Sequence, residues 1–362
     1  MRRITEINKK LSKTRITSVY NCIPVESEDF TFFEQPRLSA FPEISSLDEL
    51  FEIATIGKEA GIDFIYICNS PGEKTEEEMM MACDKMDNLI SKMKEYGFNK
   101  IRVTNLQLIE YLLVNHPDIH VLTSTSQEYS TAQEYLQMLK AFPNIKEILP
   151  SWDMNKNIRF IKTLNDTIDQ DIEIMVNEGC LSGCPFRTQH NSYLTKNNKY
   201  YQYLIPKATQ PLLDEAFYLS LCGNIFENHL WRTVCLSNII YPWEIDKYAQ
   251  VTGIRKFKLV GRNCSSFRTG DYISIYENFL LAIEKPEILD EESIAITNHY
   301  ILDTPCFQDI KIKDVKELLP SLDFFIETNP DCKNICGEEC FYCYAKARQL
   351  QERFPIQSRF LI

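Results

Sequence analysis

Apolar residues along this chain follow two rhythms. Short runs rich in β-branched and aromatic residues, at 15–25, 62–70, 100–105, 119–126, 145–150, 172–177 and 256–262, read as strands. Between them, residues 47–61, 74–97, 106–118, 130–144 and 155–169 repeat apolar side chains three and four apart, the spacing of amphipathic helices. Gly61 and Gly97 stand just past two of these segments, where a helix C-cap favours glycine. A further helix is expected over 242–254. Strands alternating with helices of this length predict a parallel sheet covered by helices. The strand count favours an α/β TIM-like (β/α)8 barrel, regular or irregular, over an open doubly wound sheet, with the eighth strand unplaced.

Beyond residue 290 the rhythm stops. It gives way to NHYILDTPCFQDI, a charged helix over 313–325 and a cysteine-rich segment at 331–350. Pattern and composition therefore divide the chain into a barrel, 1–290, and a small cysteine-rich C-terminal extension, 291–362. In a barrel the chemistry lies on loops after the strand C-termini. Here those loops carry Asn69, Asn105 and residues 124–127, 151–153, 178–187 and 262–264.

Composition narrows the function classes. At 362 residues, 44% hydrophobic and 25% charged, the chain is of globular type rather than disordered or fibrous. Its net charge of -12 disfavours nucleic-acid backbones and anionic membranes as partners. The longest apolar runs, IYIC and FLLAI, fall far short of the roughly 20 residues that span a bilayer. The basic N-terminus lacks the apolar stretch of a secretory signal, so a cytoplasmic protein is expected. Neither G-x-G-x-x-G after the first strand nor G-x-x-x-x-G-K-[ST] occurs, and G-x-S-x-G and H-E-x-x-H are also missing.

Thirteen cysteines change the picture. In a reducing compartment they are metal ligands or small buried apolar residues rather than disulfides. Cys332, Cys336, Cys340 and Cys343 fall within twelve residues, and thiolates so close repel one another unless a cation holds them. Zinc modules separate two cysteine pairs by a longer loop, which tilts this set toward an iron–sulfur cluster, with structural Zn as the alternative. Cys180 and Cys184 follow a strand end directly. With Cys222 and Cys235 they complete a second all-thiolate set, against the alternative that Cys222 and Cys235 are core residues. Glu178 is either a general acid or base or a cap on its loop. His190 is either a proton donor or a supporting residue near the first cysteine pair.

The strand KFKLVGR, preceded by PWEIDKYAQVTGI, resembles a K-I-E-G-R-like strand end of the collagenase-like peptidase family U thirty-two, with Lys258, Gly261 and Arg262 matching and Val260 in place of its Glu. IHVLTSTSQ is similar to the family's H-x-S-T-Q element, and IEIMVNEGCLSGCPFR to its strand ending in a cysteine-bearing loop. The resemblance covers about residues 16–285. It implies a barrel holding a 4Fe-4S cluster on Cys180, Cys184, Cys222 and Cys235. It also implies an oxygen-independent hydroxylase or related redox enzyme, with metal-containing peptidase, peptide-modifying maturase and non-catalytic cluster-binding partner protein as alternatives. A small-molecule or peptide substrate, a carboxylate-bearing donor and a homologous protein partner fit that reading. Arg187 and Arg262 would bind the carboxylate through two hydrogen bonds each, and Glu178 or His190 would move protons.

Overall fold

All seven runs read as strands form one: β1 (Ser18–Asn21), β2 (Asp63–Cys68), β3 (Lys100–Val103), β4 (His120–Thr123), β5 (Glu147–Ile148), β6 (Asp171–Met175) and β7 (Lys256–Lys258). The computed structural model describes residues 1–23, 27, 31, 33–34, 44, 46–70, 74–127, 129–178, 180, 182–187, 229–260, 272–294, 307 and 309–356. No eighth strand occurs among the described residues. The chain forms two units. One comprises Met1–Tyr129, Gln133–Leu149 and Phe186–Glu215; the other comprises Ser130–Ala132, Pro150–Pro185 and Ala216–Ile362.

In the first unit β1 to β5 lie side by side in chain order and pair in parallel, with Tyr20 opposite Ile65, Tyr66 opposite Ile101, Ile101 opposite Val121 and Leu122 opposite Glu147. Parallel neighbours need a crossover, and α2 (Leu47–Glu59), α3 (Glu76–Glu95), α4 (Leu106–Asn115) and α5 (Ala132–Ala141) supply them. Each buries one stripe: Leu50, Phe51 and Ala54 from α2, Leu89, Ile90 and Met93 from α3, and Leu108, Ile109 and Leu112 from α4. Each such side chain contributes about 1.5–3 kcal/mol of burial. Thr75 opens α3 with a capping box, its hydroxyl accepting from the Glu78 N–H at 3.2 Å while Glu78 accepts from the Thr75 N–H at 2.8 Å. Gly61 and Gly97 close α2 and α3 at φ 72° and 73°, as their positions predict. An additional helix, α1 (Arg2–Lys10), buries Ile7; the basic N-terminal stretch had given no helical expectation.

In the second unit β6 and β7 pair in parallel, Ile174 opposite Phe257. Helices α6 (Ile158–Thr167), α7 (Leu230–Leu236), α8 (Ile245–Thr252), α9 (Tyr272–Glu284), α10 (Ile312–Val315), α11 (Leu322–Thr328), α12 (Cys332–Ile335) and α13 (Tyr342–Arg353) accompany them. One core holds Trp231, Val234 and Cys235 from α7 together with Phe307, Val315, Leu319, Ala347 and Leu350. Residues on both sides of position 290 thus share a single apolar cluster. The Trp231 ring meets Phe307 edge-on at 5.0 Å and its Nε1 donates to the Phe354 carbonyl at 2.9 Å.

The charged helix expected over 313–325 is broken. After α10 and a 3-10 turn (Lys316–Leu318), Leu319 is extended, because Pro320 excludes the helical conformation from the residue before it, and α11 then starts afresh at Leu322. Likewise the segment 242–254 opens with a 3-10 turn, Pro242–Glu244, before α8. Parallel strands alternating with helices make this an α/β fold, the arrangement from which TIM-like barrels are built. No helix among the described residues is long and apolar enough to cross a membrane.

Candidate cysteine-rich metal centre

The loop after β6 is held by side chains of its own unit. Asn177 locks the strand ends together, donating from Nδ2 to the Val260 carbonyl and accepting the Val260 N–H at Oδ1, both at 2.8 Å. Glu178 is buried and its Oε1 accepts the Cys180 N–H at 3.0 Å. Asp153 accepts from the Gly183 N–H at 3.4 Å and from Asn238 Nδ2 at 3.2 Å, and Asn238 Nδ2 also donates to Ser182 Oγ at 3.0 Å. Cys180 and Cys184 are half-buried on this loop. Asn238 therefore ties their loop to the segment that follows Cys235.

Cys235 itself is fully buried within α7, where burial pushes its thiol pKa up, the neighbouring Cys343 reinforces this, and Lys156 and Lys346 oppose it. Its thiol neighbour is thus a member of the C-terminal set. Arg187 is buried in the first unit. His190, Cys222 and Arg262 lie outside the described residues.

The C-terminal cysteines occupy a compact knuckle. Cys332 starts α12, Cys336 follows its end and bridges Cys340 in a parallel β-bridge, and Cys343 sits in the first turn of α13. The turn between them closes with Gly337 N–H donating to the Cys340 carbonyl and Cys340 N–H to the Ile335 carbonyl, both at 3.0 Å. Gly337 takes φ 82°, a left-handed conformation costly for any residue with a Cβ. Burial pushes the Cys332 thiol up to about 12, with Cys343, Cys336 and Cys340 adding to the rise and Lys156 resisting it. The Cys343 thiol is raised by burial, opposed by Lys156 and reinforced by Cys336 and Cys340. The four sulfurs therefore feel one another's charge.

Lys156 faces these thiols. It is buried, its Nζ donates to the Ser237 carbonyl at 2.5 Å, and it lies 5.1 Å from the centroid of the Phe325 ring. Phe325 meets Tyr342, the residue before Cys343, at 6.1 Å. Glu244, a carboxylate in the lysine's electrostatic reach, is buried, which raises its pKa; its oxygens accept from the Leu322 and Tyr241 N–H groups at 2.7 and 3.2 Å. Beside the knuckle a cavity of about 710 Å³ is lined by His229, Arg232, Gly337, Phe341, Tyr344 and Arg348. The Arg232 guanidinium stands 4.8 Å from the Tyr344 ring centroid.

The donor chemistry, four thiols within twelve residues, is of the kind that a metal or cluster takes. As the side chains stand, no three His, Cys, Asp or Glu among the described residues converge to ligate an ion, so binding would require the thiols to turn inward. Lys156 was missed because a lysine at a helix start reads as a surface residue. The only sequence signal was its place in NKN, on the loop after a predicted strand.

The first unit holds buried charge of another kind. Arg102 on β3 donates from Nη2 to Glu147 Oε1 at 2.7 Å and from Nη1 to the Thr123 carbonyl at 2.8 Å. Glu34 is buried, with Oε1 accepting from the Tyr66 hydroxyl at 2.7 Å and Oε2 from the Thr31 hydroxyl at 2.7 Å. Burial raises its carboxyl pKa against these hydrogen bonds.

No family model matches the chain. No curated protein matches it either. Among solved structures, it is similar to that of the U32 peptidase Mk0906, at 12% identity and a TM-score of 0.41, over 57% of this chain and 85% of that one.

Proposed function

We propose that this protein is an iron–sulfur enzyme whose C-terminal tetrad, Cys332, Cys336, Cys340 and Cys343, holds a four-iron cluster. The observation that carries the reading is the knuckle itself: four cysteines in twelve residues, on α12, the turn after it and the first turn of α13, with Cys336 and Cys340 paired in a β-bridge. Bound there, the cluster would supply one-electron transfer. The chain's own residues do the rest. Arg232 and Arg348 in the adjoining cavity suit a carboxylate-bearing small molecule or peptide, because a guanidinium fork binds a carboxylate with two hydrogen bonds. The aromatic walls of Phe341 and Tyr344 would cover the substrate's apolar part.

Cys180, Cys184, Cys222 and Cys235 are the donors for the cluster that the resemblance implies in the barrel. Asp153 and Asn238 shape their loop, and Glu178 fixes its first turn. The reaction class this assembly serves best is redox modification, such as oxygen-independent hydroxylation, rather than peptide hydrolysis.

The test is an anaerobic preparation of the full chain assayed for iron, sulfide and zinc, beside a Cys336→Ser/Cys340→Ser variant. About eight irons per chain, falling to about four in the variant, supports clusters at both sites, and about four falling to none supports the tetrad alone. Zinc in place of iron, lost in the variant, makes the tetrad structural and removes the redox role from it. Metal content equal in the two proteins contradicts the reading.

A further inference from the structure

The turn between α12 and α13 pairs two cysteines through their backbone. Cys336 and Cys340 are partners in a parallel β-bridge, fixed by the Gly337 N–H donating to the Cys340 carbonyl and the Cys340 N–H to the Ile335 carbonyl, both at 3.0 Å. Residues paired in this way stand one inter-strand spacing apart, about 4.8 Å, and share a face. That lies inside the Cα separation of about 4.4–6.8 Å that a disulfide spans. The chain can turn back so soon because Gly337 takes φ 82°. Cys336 is exposed and Cys340 is half-buried, so a disulfide from solution can reach Cys336. Burial raises the Cys336 thiol pKa, and Cys340 beside it adds to the rise. Pairs whose reduced form is stabilised as a thiolate are strong oxidants, and this pair leans the other way, toward a stable disulfide.

The neighbouring cavity offers the oxidant a place. Its volume of about 710 Å³ is that of a small-molecule site, and Gly337, the residue after Cys336, is part of its wall. The wall also carries Arg232, Arg348 and His229 against a single acid, Glu352. In a chain of net charge -12 such a lining is an exception, and guanidinium groups suit carboxylates. Arg232 stands over the Tyr344 ring, 4.8 Å from its centroid.

We propose that Cys336 and Cys340 are a dithiol pair that closes to a disulfide by exchange with a small carboxylate-bearing disulfide taken up in this cavity. The Cys336 thiolate attacks one sulfur of that disulfide, breaks its S–S bond and expels one half, leaving a mixed disulfide. The Cys340 thiolate then attacks the Cys336 sulfur and expels the other half. Two electrons pass from the cysteine pair to the small disulfide, and the protons of the two cysteine thiols end on the two small thiols released. This goes beyond the cluster reading. A cluster on the tetrad takes both sulfurs as ligands, so the exchange belongs to the chain that carries none.

The test uses the full chain, freed of metal with a chelator, reduced under nitrogen and then exposed to glutathione disulfide. Cleavage after Glu338 and Glu339 separates Cys336 from Cys340, so the expected product is two peptides joined through sulfur. Cys340→Ser should stop at one glutathione on Cys336, whereas Cys343→Ser should keep the link. Arg232→Ala/Arg348→Ala should slow the exchange about tenfold or more, through lost charge-assisted hydrogen bonds, and leave exchange with cystamine, a cationic disulfide, unchanged. Wild type that stops at the mixed disulfide, or joins Cys336 to a cysteine other than Cys340, overturns the proposal. An arginine variant that slows both disulfides equally, or neither, also overturns it. Iron in the anaerobic chain is measured separately, so none of these outcomes decides the cluster reading.

Discussion

Two buried cations, Arg102 in the first unit and Lys156 in the second, are treated differently. In the first, Arg102 reaches across β4 to Glu147 and to the Thr123 carbonyl, so the chain encodes the counter-charge as well as the charge. In the second, Lys156 has one carbonyl, one ring face and a group of thiols. The contrast lies in what the polypeptide itself supplies: a carboxylate at 2.7 Å in one case, and a backbone carbonyl with a ring face in the other. A buried pair that is internally complete belongs to the scaffold.

The largest expected effect breaks the complete pair. Glu147→Ala strands the Arg102 guanidinium and should cost about 3–5 kcal/mol in urea unfolding, while Arg102→Met/Glu147→Leu should recover most of that loss. If the single and double variants unfold alike, the pair is not the scaffold element described here.

Removing the metal proposed for the C-terminal cysteines comes next. Hydrogen exchange should then quicken in α12 and the first turn of α13, where the cysteines lie, and stay unchanged in β1 to β4. Exchange that quickens evenly across both units would show that the tetrad does not act locally.

A smaller effect concerns Glu34, the other buried ion of the first unit. Its folded pKa is raised, so the folded state holds a proton that the unfolded chain releases near the usual carboxylate value. Stability is then full below that value and falls as pH rises through the folded pKa. Glu34→Gln, whose amide oxygen still accepts from Thr31 while its NH2 meets the Tyr66 hydroxyl as a donor in place of an acceptor, should flatten this slope. A slope that persists in the variant assigns the pH dependence to another group.

The smallest effects are at caps. Thr75→Ala should cost about 1 kcal/mol through the lost α3 capping box. Glu178→Gln should leave the loop after β6 in place, because an amide oxygen can still accept the Cys180 N–H, whereas Glu178→Ala should loosen it. Loss of activity in Glu178→Gln with the loop intact would restore the acid–base role to this residue.

Which parts were legible follows the same division. The strands and most helices of the first unit announce themselves because burial on one face imposes a period on the sequence, as Leu108, Ile109 and Leu112 do in α4. The crowding of the four C-terminal cysteines was legible from spacing, and the structure sets them on α12, the turn after it and the first turn of α13. Arg102 was not, since one charged residue in an apolar strand run gives no sign of its partner 45 residues away. The break before Pro320 was readable in principle, but the apolar residues on either side continued the helical period across it. Cys235 reads in the sequence either as the fourth member of a thiolate set with Cys180, Cys184 and Cys222 or as a core residue. Its position in α7, with Cys343 as thiol neighbour, depends on packing between segments more than a hundred residues apart, which no local pattern records.

The most direct measurement of the central claim is the native mass of the anaerobically purified full chain, compared with that of a variant in which Cys332, Cys336, Cys340 and Cys343 are all serine. The account predicts that wild type carries an additional mass corresponding to about four irons and four sulfides that the variant lacks. Two proteins whose masses differ only by the substitutions would contradict it.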